Sequence, residues 1–578
     1  MGPSRIGEPA APADFVVGGW LVRPSLNEIS RRGASRRLRR QLMDLLVLLA
    51  DRAGRVVSRE EILQEIWKRR FVAETVLHRS IAELRDSLDD DREHPVFIET
   101  IPKRGYRLVA PVLNSTAALV KTRQPSVLVL PFRDLSEKGD QQYFCDGLAE
   151  QIINALARVR GLRVIARSSA FRVRREAADL SEIKKLVNVD LVLEGSVRKA
   201  GDQIRITVEL IDVAGECYMW SECYDRTAGS ILDLQGEIAL GIVEKLRVEL
   251  LAHERNGVVK RHTEDVEAHT SYLKGLYYWN QRTREGTRLS RQCFEQAIQQ
   301  DPGYALPYVA LANSYSIAAF YGLAPAGKCF PEARRLAGRA LEIDPGLGES
   351  QAALGFIAFL YDWDWPASEA CFKQALALNP NYSTAYAWYA LCLSWAGQPE
   401  RAADTLERAY VSDPLSPLLA TTRGVLLYQQ EQYEPACRQF RQVLEVDSDY
   451  TLAHAHLSRT LIALGEYDQA VAHATKAAIG LPVALLWAGF AHARAGRRAE
   501  AEAILSQMLE AFGKDCFSPV LIGYLYLALH DSERALHWFA EARRLRDPLL
   551  PQVRSDPLAS EVHSAAEVLT MSPAPERG

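Results

Sequence analysis

Apolar residues recur at helical spacing between residues 74 and 88. Positions i, i+4, i+7 and i+11 of this stretch carry Leu77, Ile81, Leu84 and Leu88. The spacing predicts a helix with one face packed on a core. The opposite face is predicted to present groups that can hydrogen-bond to base edges or phosphates, namely His78, Arg79, Ser80, Glu83 and Arg85.

A second helix is predicted just before this one, over residues 59–67, with residues 68–73 as the link between the two. Ser58 and Glu61 form a capping box at its start, because hydroxyl and carboxylate can each satisfy a backbone amide that the helix leaves without a partner. The two short helices are therefore predicted as a helix-turn-helix.

A hairpin is predicted after the two helices. Residues 97–101 alternate like a strand, residues 102–105 form a turn containing Lys103 and Arg104, and residues 106–109 return. Two helices and a basic-tipped hairpin predict a winged helix-turn-helix, whose second helix can enter the major groove of DNA. The alternative is a small α+β domain whose charged helix face is only solvated.

Arginines are concentrated before the first long helix. Short strands are predicted at residues 15–18, 20–23 and 28–31, and an apolar helix at 42–50. Within ten positions the chain carries Arg31, Arg32, Arg36, Arg37, Arg39 and Arg40. We expect a basic loop here that contacts phosphates and sets the register on a duplex without reading its sequence. The alternative is a solvated basic loop.

A different pattern begins at residue 126. The continuous apolar run 126–132 is typical of a buried strand. Further strands are predicted at 162–167, 189–197, 204–212 and 217–224, and helices at 145–159, 180–187 and 231–251. Strands and helices in this order predict an α/β layer domain.

The C-terminal half repeats. Residues that end successive amphipathic segments stand 35, 34, 34 and 34 positions apart, at Pro345, Pro380, Pro414, Ser448 and Pro482. A period of 34 with two helices per period is typical of tetratricopeptide repeats. We count seven or eight repeats over residues 265–550, and stacked pairs predict a concave surface that binds a protein or peptide.

Charge is distributed unevenly along the chain. The net charge is −4, but residues 1–112 hold 20 basic and 16 acidic residues, whereas the remainder holds 49 and 57. The predicted winged helix is therefore the basic part of an acidic chain, which favours a nucleic-acid partner for that part.

Several other classes of protein lack support in the sequence. No apolar run reaches 18 residues and no signal peptide is evident, so we expect a cytoplasmic protein and no membrane partner. The nine cysteines include no CxxC pair, and no metal site or cofactor is expected.

Neither a phosphate-binding loop nor a hydrolase or zinc-peptidase motif is present, which favours a protein that is not an enzyme. Asp146, Glu150 and residues 194–196 leave a less favoured alternative, an enzyme with an unrecognised site in 126–252.

The winged-helix segment resembles the OmpR/PhoB-type DNA-binding domain of bacterial regulators. The stretches that carry the resemblance are VSREEIL (57–63), SIAELR (80–85), HPVFIET (94–100) and GYRL (105–108). The resemblance implies base contacts from the exposed face between Thr75 and Arg85, and wing contacts from Lys103 and Arg104. Ala82 and Glu83 stand where many relatives carry basic or polar contact residues.

The remaining chain resembles two further modules. The stretches LPF (130–132), DGL (146–148), LEGSV (193–197) and RITVELID (205–212) resemble the TolB-like amino-terminal module that precedes repeat arrays in bacterial regulators, and the period of 34 is that of tetratricopeptide repeats. The combined order resembles the ToxR-, CadC- and HilA-like architecture. No receiver domain precedes the winged helix, so a one-component regulator is expected, without aspartyl phosphorylation in cis as its switch.

The sequence thus predicts a multidomain, mainly α protein that binds promoter DNA and regulates transcription. Its α/β module and repeats would sense a signal, bind a partner such as RNA polymerase, or join protomers into a homo-oligomer. The alternative is a repeat scaffold whose winged helix binds protein. The candidate DNA-binding residues are Arg36, Arg37, Arg39, Arg40, Thr75, His78, Arg79, Ser80, Glu83, Arg85, Lys103, Arg104 and Tyr106.

The predicted domain boundaries follow the changes in pattern. In chain order they are a disordered N-terminus (1–13), the winged helix-turn-helix (14–112), a linker (113–125), the TolB-like α/β module (126–252), a second linker (253–264), the repeat array (265–550) and a C-terminal tail (551–578).

Overall fold

The computed structural model describes residues 15–18, 20–31, 34–67, 74–91, 95–102, 104–110, 112–114, 125–159, 161–176, 179–227, 232, 234–245, 260–514 and 518–563. The predicted disordered N-terminus, the helix link 68–73, Arg32, Lys103 and the end of the tail from 564 lie outside these residues, as does most of the two linkers. The chain divides into two compact units, residues 1–124 and 125–578.

The first unit contains three helices and two small sheets. Its elements are β1 (Phe15–Val17), β2 (Trp20–Arg23), β3 (Glu28–Arg31), β4 (Ala34–Arg37), α1 (Arg40–Asp51), β5 (Val56–Ser58), α2 (Arg59–Trp67), α3 (Glu74–Leu88), β6 (Ile98–Ile101), β7 (Gly105–Leu108) and β8 (Val112–Asn114). One sheet has the order β4-β3-β2-β1-β8 and the other β5-β7-β6. Apolar residues from all three helices form the core, among them Leu45, Leu49, Ile62, Leu77 and Leu84, each with no exposed surface.

Part of the arginine-rich stretch is a strand, and the prediction of a basic loop is wrong at this point. Strand β4 pairs antiparallel with β3, with Glu28 opposite Arg37 and Ser30 opposite Ser35. Helix α1 then begins at Arg40, with Arg39 as its N-cap residue. The arginines therefore stand on an ordered strand and at a helix start.

The capping box and the hairpin are confirmed. The Ser58 hydroxyl accepts from the Glu61 amide at 3.2 Å, and the Glu61 carboxylate accepts from the Ser58 amide at 3.4 Å. The hairpin β6–β7 gains β5 as a third strand, which the sequence did not predict. A Cβ atom at Gly105 would lie 2.0 Å from the Val57 carbonyl oxygen, and the φ of Gly105 is +149°, so only glycine permits this close pairing.

The second unit begins with the α/β module. Its elements are β9 (Ser126–Val129), β10 (Arg133–Asp134), α4 (Gln142–Ala157), β11 (Arg163–Val164), α5 (Arg167–Glu176), α6 (Leu180–Val187), β12 (Leu191–Ala200), β13 (Gln203–Asp212), β14 (Cys217–Thr227) and α7 (Leu234–Lys245). The sheet has the order β11-β9-β12-β13-β14, and β10 also pairs with β12. Strand β9, which lies between β11 and β12, is buried along its whole length, as its apolar run predicts. Helix α5 was not predicted.

Eight helix pairs follow in the part of the array that the structure describes. They are α8 (Val266–Asn280) with α9 (Arg284–Gln300), α10 (Ala305–Phe320) with α11 (Ala326–Ile343), α12 (Gly348–Ile357) with α13 (Trp365–Leu378), α14 (Ser383–Trp395) with α15 (Pro399–Tyr410), α16 (Pro417–Gln429) with α17 (Tyr433–Val446), α18 (Thr451–Ala463) with α19 (Tyr467–Gly480), α20 (Leu485–Arg494) with α21 (Arg498–Ala511), and α22 (Pro519–Ala528) with α23 (Ser532–Arg544). None of the described helices is long and apolar enough to cross a membrane.

The module packs directly on the array. The hydroxyls of Ser168 and Ser169 on α5 donate to the buried carboxylate of Asp413 at 2.6–2.7 Å, and Ser169 accepts from the Leu415 amide at 2.9 Å. On α4, the Gln151 amide nitrogen lies 2.7 Å from Nε2 of His269 on α8. One apolar cluster runs from the sheet of the module into the first helix pairs, so these two parts share a core.

The chain folds back onto the array after α23. Helix α24 (Leu550–Val553) and a 3₁₀ helix, Pro557–Val562, are both packed on the repeats, and Leu550, Val553 and Ala559 have no exposed surface. The sequence predicts a tail from residue 551, whereas the structure places residues 551–563 against the array.

Candidate nucleic-acid interface

Helix α3 has one buried and one exposed face. Leu77, Ile81, Leu84 and Leu88 are at most 2% exposed, which confirms the predicted apolar face. The opposite side carries exposed or half-buried residues, namely Thr75, Val76, His78, Arg79, Ser80, Ala82 and Glu83. Because α3 follows α2 in a helix-turn-helix, this side is the one that can enter a major groove.

Glu83 connects two arginines on this exposed side. Its carboxylate accepts a hydrogen bond from the Arg39 guanidinium, and its Oε1 lies 3.6 Å from Nε of Arg79. The side chains of Arg39 and Arg79 are 74% and 84% exposed. Ion pairs this exposed contribute little free energy, so both guanidinium groups can exchange the carboxylate for a phosphate or a base edge.

The guanidinium of Arg36 is engaged by its own domain. Its Nη1 donates to the carbonyl oxygen of Ser87 and to Oδ1 of Asp89, both at 2.8 Å, and its Cζ lies 5.0 Å from the ring centre of Trp20. Arg36 therefore holds the C-terminal end of α3, where a cation is favourable. Arg37 and Arg40 are exposed, and the described residues provide no side-chain partner for either.

Arg85 is buried, and its predicted place on the exposed face is wrong. It is 7% exposed, and its guanidinium donates to the carbonyl oxygen of Ile98 and to the Thr100 hydroxyl. Its Nε also lies 3.9 Å from the fully buried carboxylate of Asp90. Arg85 follows Ile81 by four positions, so it continues the buried row of α3 toward the hairpin.

Tyr106 is also buried, at 2% exposure, so it is not placed to contact DNA directly. Its hydroxyl shares a hydrogen bond with Nδ1 of His78 at 2.8 Å. Tyr106 lies on β7 of the hairpin, so this contact orients the His78 ring relative to the hairpin. The His78 side chain is itself exposed. The sequence does not reveal the pair, because the two residues are 28 positions apart.

The hairpin tip has one described cation. Arg104 is exposed, and its amide donates to the carbonyl oxygen of Ile101 at 3.1 Å, which closes the turn. Lys103 lies outside the described residues. Gly105 fixes the tip against β5 through the close contact with Val57.

The carboxylates singled out in the α/β module have structural partners. Glu150 pairs with Arg167 at 2.8 Å, and Glu194 pairs with Arg133 at 3.3 Å. Asp146 accepts from the Gln142 amide at 2.6 Å, and burial raises its pKa. The described residues hold no group of three or more histidine, cysteine, aspartate or glutamate side chains arranged for a metal ion.

The fold and the family match identify the first domain as a winged helix-turn-helix DNA-binding domain of the OmpR/PhoB type. Residues 33–108 match the family model described as "Transcriptional regulatory protein, C terminal". Residues 123–240 match "HilA/YgeH-like transcriptional regulator, second domain", and residues 364–424 match the tetratricopeptide repeat. The chain therefore combines three modules, of which two are described for transcriptional regulators.

Three curated relatives illustrate the similarity. The chain is 51% identical over 98 residues to the transcriptional activator CadC of Escherichia coli, a match that covers 17% of this chain and 19% of CadC. It is 25% identical over 404 residues to the transcriptional regulator HilA of Salmonella typhi, covering 68% and 70%. It is 32% identical over 313 residues to a protein of Rhizobium meliloti named putative adenylate cyclase 3, covering 52% and 46%. The chain thus spans less than half the length of two of these relatives.

Proposed function

We propose that this protein is a transcription regulator that binds promoter DNA through its winged helix. The observation that carries the proposal is the exposed side of α3, where Arg79 projects with 84% of its side chain exposed while the apolar side is sealed in the core. The similarity to CadC and HilA, named as a transcriptional activator and a transcriptional regulator, supports the same function.

In this proposal the residues of the exposed side of α3 contact the bases. Arg79 can form a bidentate pair with a guanine, and Ser80 and Thr75 can bond to either donors or acceptors. His78, held by Tyr106, contacts a base or a phosphate with its remaining ring nitrogen. Glu83 can accept from the amino group of cytosine once its arginine partners turn to the DNA.

Phosphates would be held on both sides of α3. Helix α1 has no side-chain cap and no acidic residue in its first turn, so its first amide groups, together with Arg39 and Arg40, form a site for an anion. Arg37 extends this surface along β4, and Lys103 and Arg104 of the hairpin contact the neighbouring groove or backbone. Arg36, Arg85 and Tyr106 position the domain and are not assigned DNA contacts.

The second unit would provide regulation. Tetratricopeptide repeats bind protein segments, and the array is proposed to bind a partner, to sense a signal or to join protomers into a homo-oligomer. RNA polymerase is one partner compatible with a promoter-bound regulator. The proposal places the protein in the cytoplasm and assigns it no enzymatic activity.

Genome-wide mapping of bound DNA tests the proposal, with the full chain and with the first compact unit alone, residues 1–124. We expect discrete promoter sites for the full chain, and retained sites with altered occupancy for the shorter one. The mapped sites then serve in gel-shift titrations with Arg79→Ala, which should lose its preference for them. An absence of discrete sites, or duplex binding unaffected by salt, would favour the scaffold alternative.

A further inference from the structure

The chain's own C-terminal segment, residues 550–563, packs against the first helices of the last four helix pairs. The first helices of successive pairs, α16, α18, α20 and α22, contact one another in sequence. The side of a stack on which successive helices approach most closely is the inside of its curve, where repeat arrays bind their ligands. Side chains of these four helices contact the segment.

One aspartate of the segment is held by three of these helices. The Tyr428 hydroxyl of α16 donates to Oδ1 of Asp556 at 2.6 Å, and the Tyr524 hydroxyl of α22 donates to Oδ2. The guanidinium of Arg459 on α18 forms an ion pair with Oδ2. Asp556 has no exposed surface, and Arg459 is 3% exposed.

Aromatic rings hold the arginine in place. The Cζ of Arg459 lies 4.6 Å from the ring centre of Tyr428 and 5.3 Å from that of Trp487 on α20. Gln552 of the segment, with its amide oriented to satisfy its neighbours, accepts from both terminal nitrogens of Arg459 at 2.5 and 2.6 Å. Arg459 is therefore a cation in contact with two aromatic rings and paired with a carboxylate.

The segment also has an apolar side. Leu550 and Val553 precede Asp556, and Ala559 and Val562 follow it at +3 and +6. All four are at most 2% exposed and belong to the core cluster of the last helix pairs. The aspartate also caps its own 3₁₀ helix, accepting from the Leu558 amide at 3.1 Å.

We propose that Tyr428, Arg459, Trp487 and Tyr524 form a binding site for an aspartate-containing peptide of a partner protein, which the chain's own segment occupies as an internal ligand. The partner peptide carries an aspartate at the start of a helical turn, with small apolar residues three and six positions later. A buried arginine requires a carboxylate partner, since removing either member of such a pair leaves an uncompensated charge. The site therefore selects a carboxylate over an amide.

The internal segment competes with a partner because it is tethered. A short tether gives an effective concentration of about millimolar, so a free peptide binds only weakly while the segment is in place. The turn before the segment contains Arg546, which is exposed. A partner that displaces the segment would free residues 550–563 and so change the surface of the last repeats.

The test uses a fluorescent peptide with the sequence of residues 549–563 and the full chain. Asp556→Ala weakens the internal ligand, and we expect the peptide to bind this chain about tenfold or more tighter than it binds the wild-type chain. The same peptide with Asn in place of Asp should not bind. Adding Arg459→Met to Asp556→Ala should abolish binding. Glu561→Gln is the matched control, because it removes only the exposed ion pair with Arg494 from the same segment and should bind like wild type.

Circular dichroism and thermal melting establish that each variant is folded. If Asp556→Ala does not fold, a protease site inserted at Arg546 lets the native chain be cut, and the cut segment should then exchange with the labelled peptide. A folded Asp556→Ala chain that binds no peptide, or that binds the Asp and Asn peptides equally, would overturn the proposal. Exchange of the segment between two copies, seen as a dimer, would overturn the assignment to a partner protein.

Discussion

The guanidinium of Arg85 donates two hydrogen bonds to the carbonyl oxygen of Ile98, from Nη2 at 2.7 Å and from Nε at 3.2 Å. Arg85 belongs to α3 and Ile98 to the first strand of the hairpin. The contact therefore fixes α3 relative to the hairpin, and the proposed DNA interface requires both.

Replacement of Arg85 by methionine should unfold the first unit more easily. The substitution leaves the Ile98 carbonyl without its buried donor and removes the cation beside the Asp90 carboxylate, which keeps its three backbone amide donors. We expect the free energy of unfolding to fall by about 2–4 kcal/mol. Denaturant titration of the full chain measures the change. Arg79→Met on the same helix is the control, since its exposed side chain should leave stability within about 0.5 kcal/mol of wild type.

Replacement of Glu83 by glutamine should tighten binding to a scrambled duplex, which lacks the cytosine that Glu83 is proposed to contact. The change removes a negative charge between Arg39 and Arg79 and frees both guanidinium groups for phosphates. We expect an increase in affinity of about three- to tenfold and a steeper dependence on salt. Anisotropy titration with a labelled duplex measures both quantities. Glu502→Gln in the array, which removes an exposed partner of Arg498, should leave them unchanged.

Replacement of Gly105 by alanine should open the three-stranded wing. The new Cβ would lie 2.0 Å from the Val57 carbonyl oxygen, so β5 and β7 must separate. We expect a loss of about 3 kcal/mol or more of local stability. Hydrogen exchange of the peptide containing β7 should become faster, and DNA affinity should fall. Gly338→Ala, where a Cβ meets nothing within 4 Å, should show normal exchange.

Acidification should weaken the contact between the α/β module and the first repeat. Burial lowers the pKa of His269, which is hydrogen-bonded to Gln151, from 6.5 to about 4. Between these values the unfolded chain binds more protons than the folded chain, so stability falls as the pH drops through 6.5 toward 4. The loss attributable to His269 is roughly 2 kcal/mol near pH 5.

Thermal unfolding of wild type and His269→Gln at several pH values measures the contribution of His269 to the loss of stability in acid. The variant should lose part of the acid sensitivity, because glutamine does not titrate. His537→Gln, at an exposed position of α23, should retain all of it. Equal acid sensitivity in all three chains would contradict the assignment to His269.

The regular patterns in the sequence predicted most of the fold. Helix α3 was predicted correctly, because amphipathic spacing indicates a helix with a single buried face. The residues with this spacing are Leu77, Ile81, Leu84 and Leu88. The period of 34 placed the helix pairs because each repeat uses the same packing. Strand β4 was missed, since its four residues Ala34–Arg37 contain no apolar alternation and are held by pairing with β3.

The candidate interface was predicted less completely than the fold. The sequence shows which residues carry a positive charge, but not which of them already pair with other groups of the same domain. Arg36 and Arg85 were therefore predicted to bind DNA together with Arg37 and Arg79, although both have partners within the domain. Arg36 is engaged by residues about 50 positions away, and no local pattern reports such a contact. The site around Asp556 in the last repeats was missed for the same reason, because Asp556 and Tyr428 are 128 positions apart.

The central claim is that α3 reads DNA while the cations beside it hold the backbone. Titration of a mapped-site duplex and a scrambled duplex over a range of salt concentrations tests it most directly, with wild type, Arg79→Ala and Arg37→Ala. We expect log affinity to fall linearly with log salt, Arg37→Ala to reduce the slope by about one on both duplexes, and Arg79→Ala to remove most of the preference for the mapped site. Affinity that is independent of salt, together with an unchanged preference in Arg79→Ala, would contradict the account.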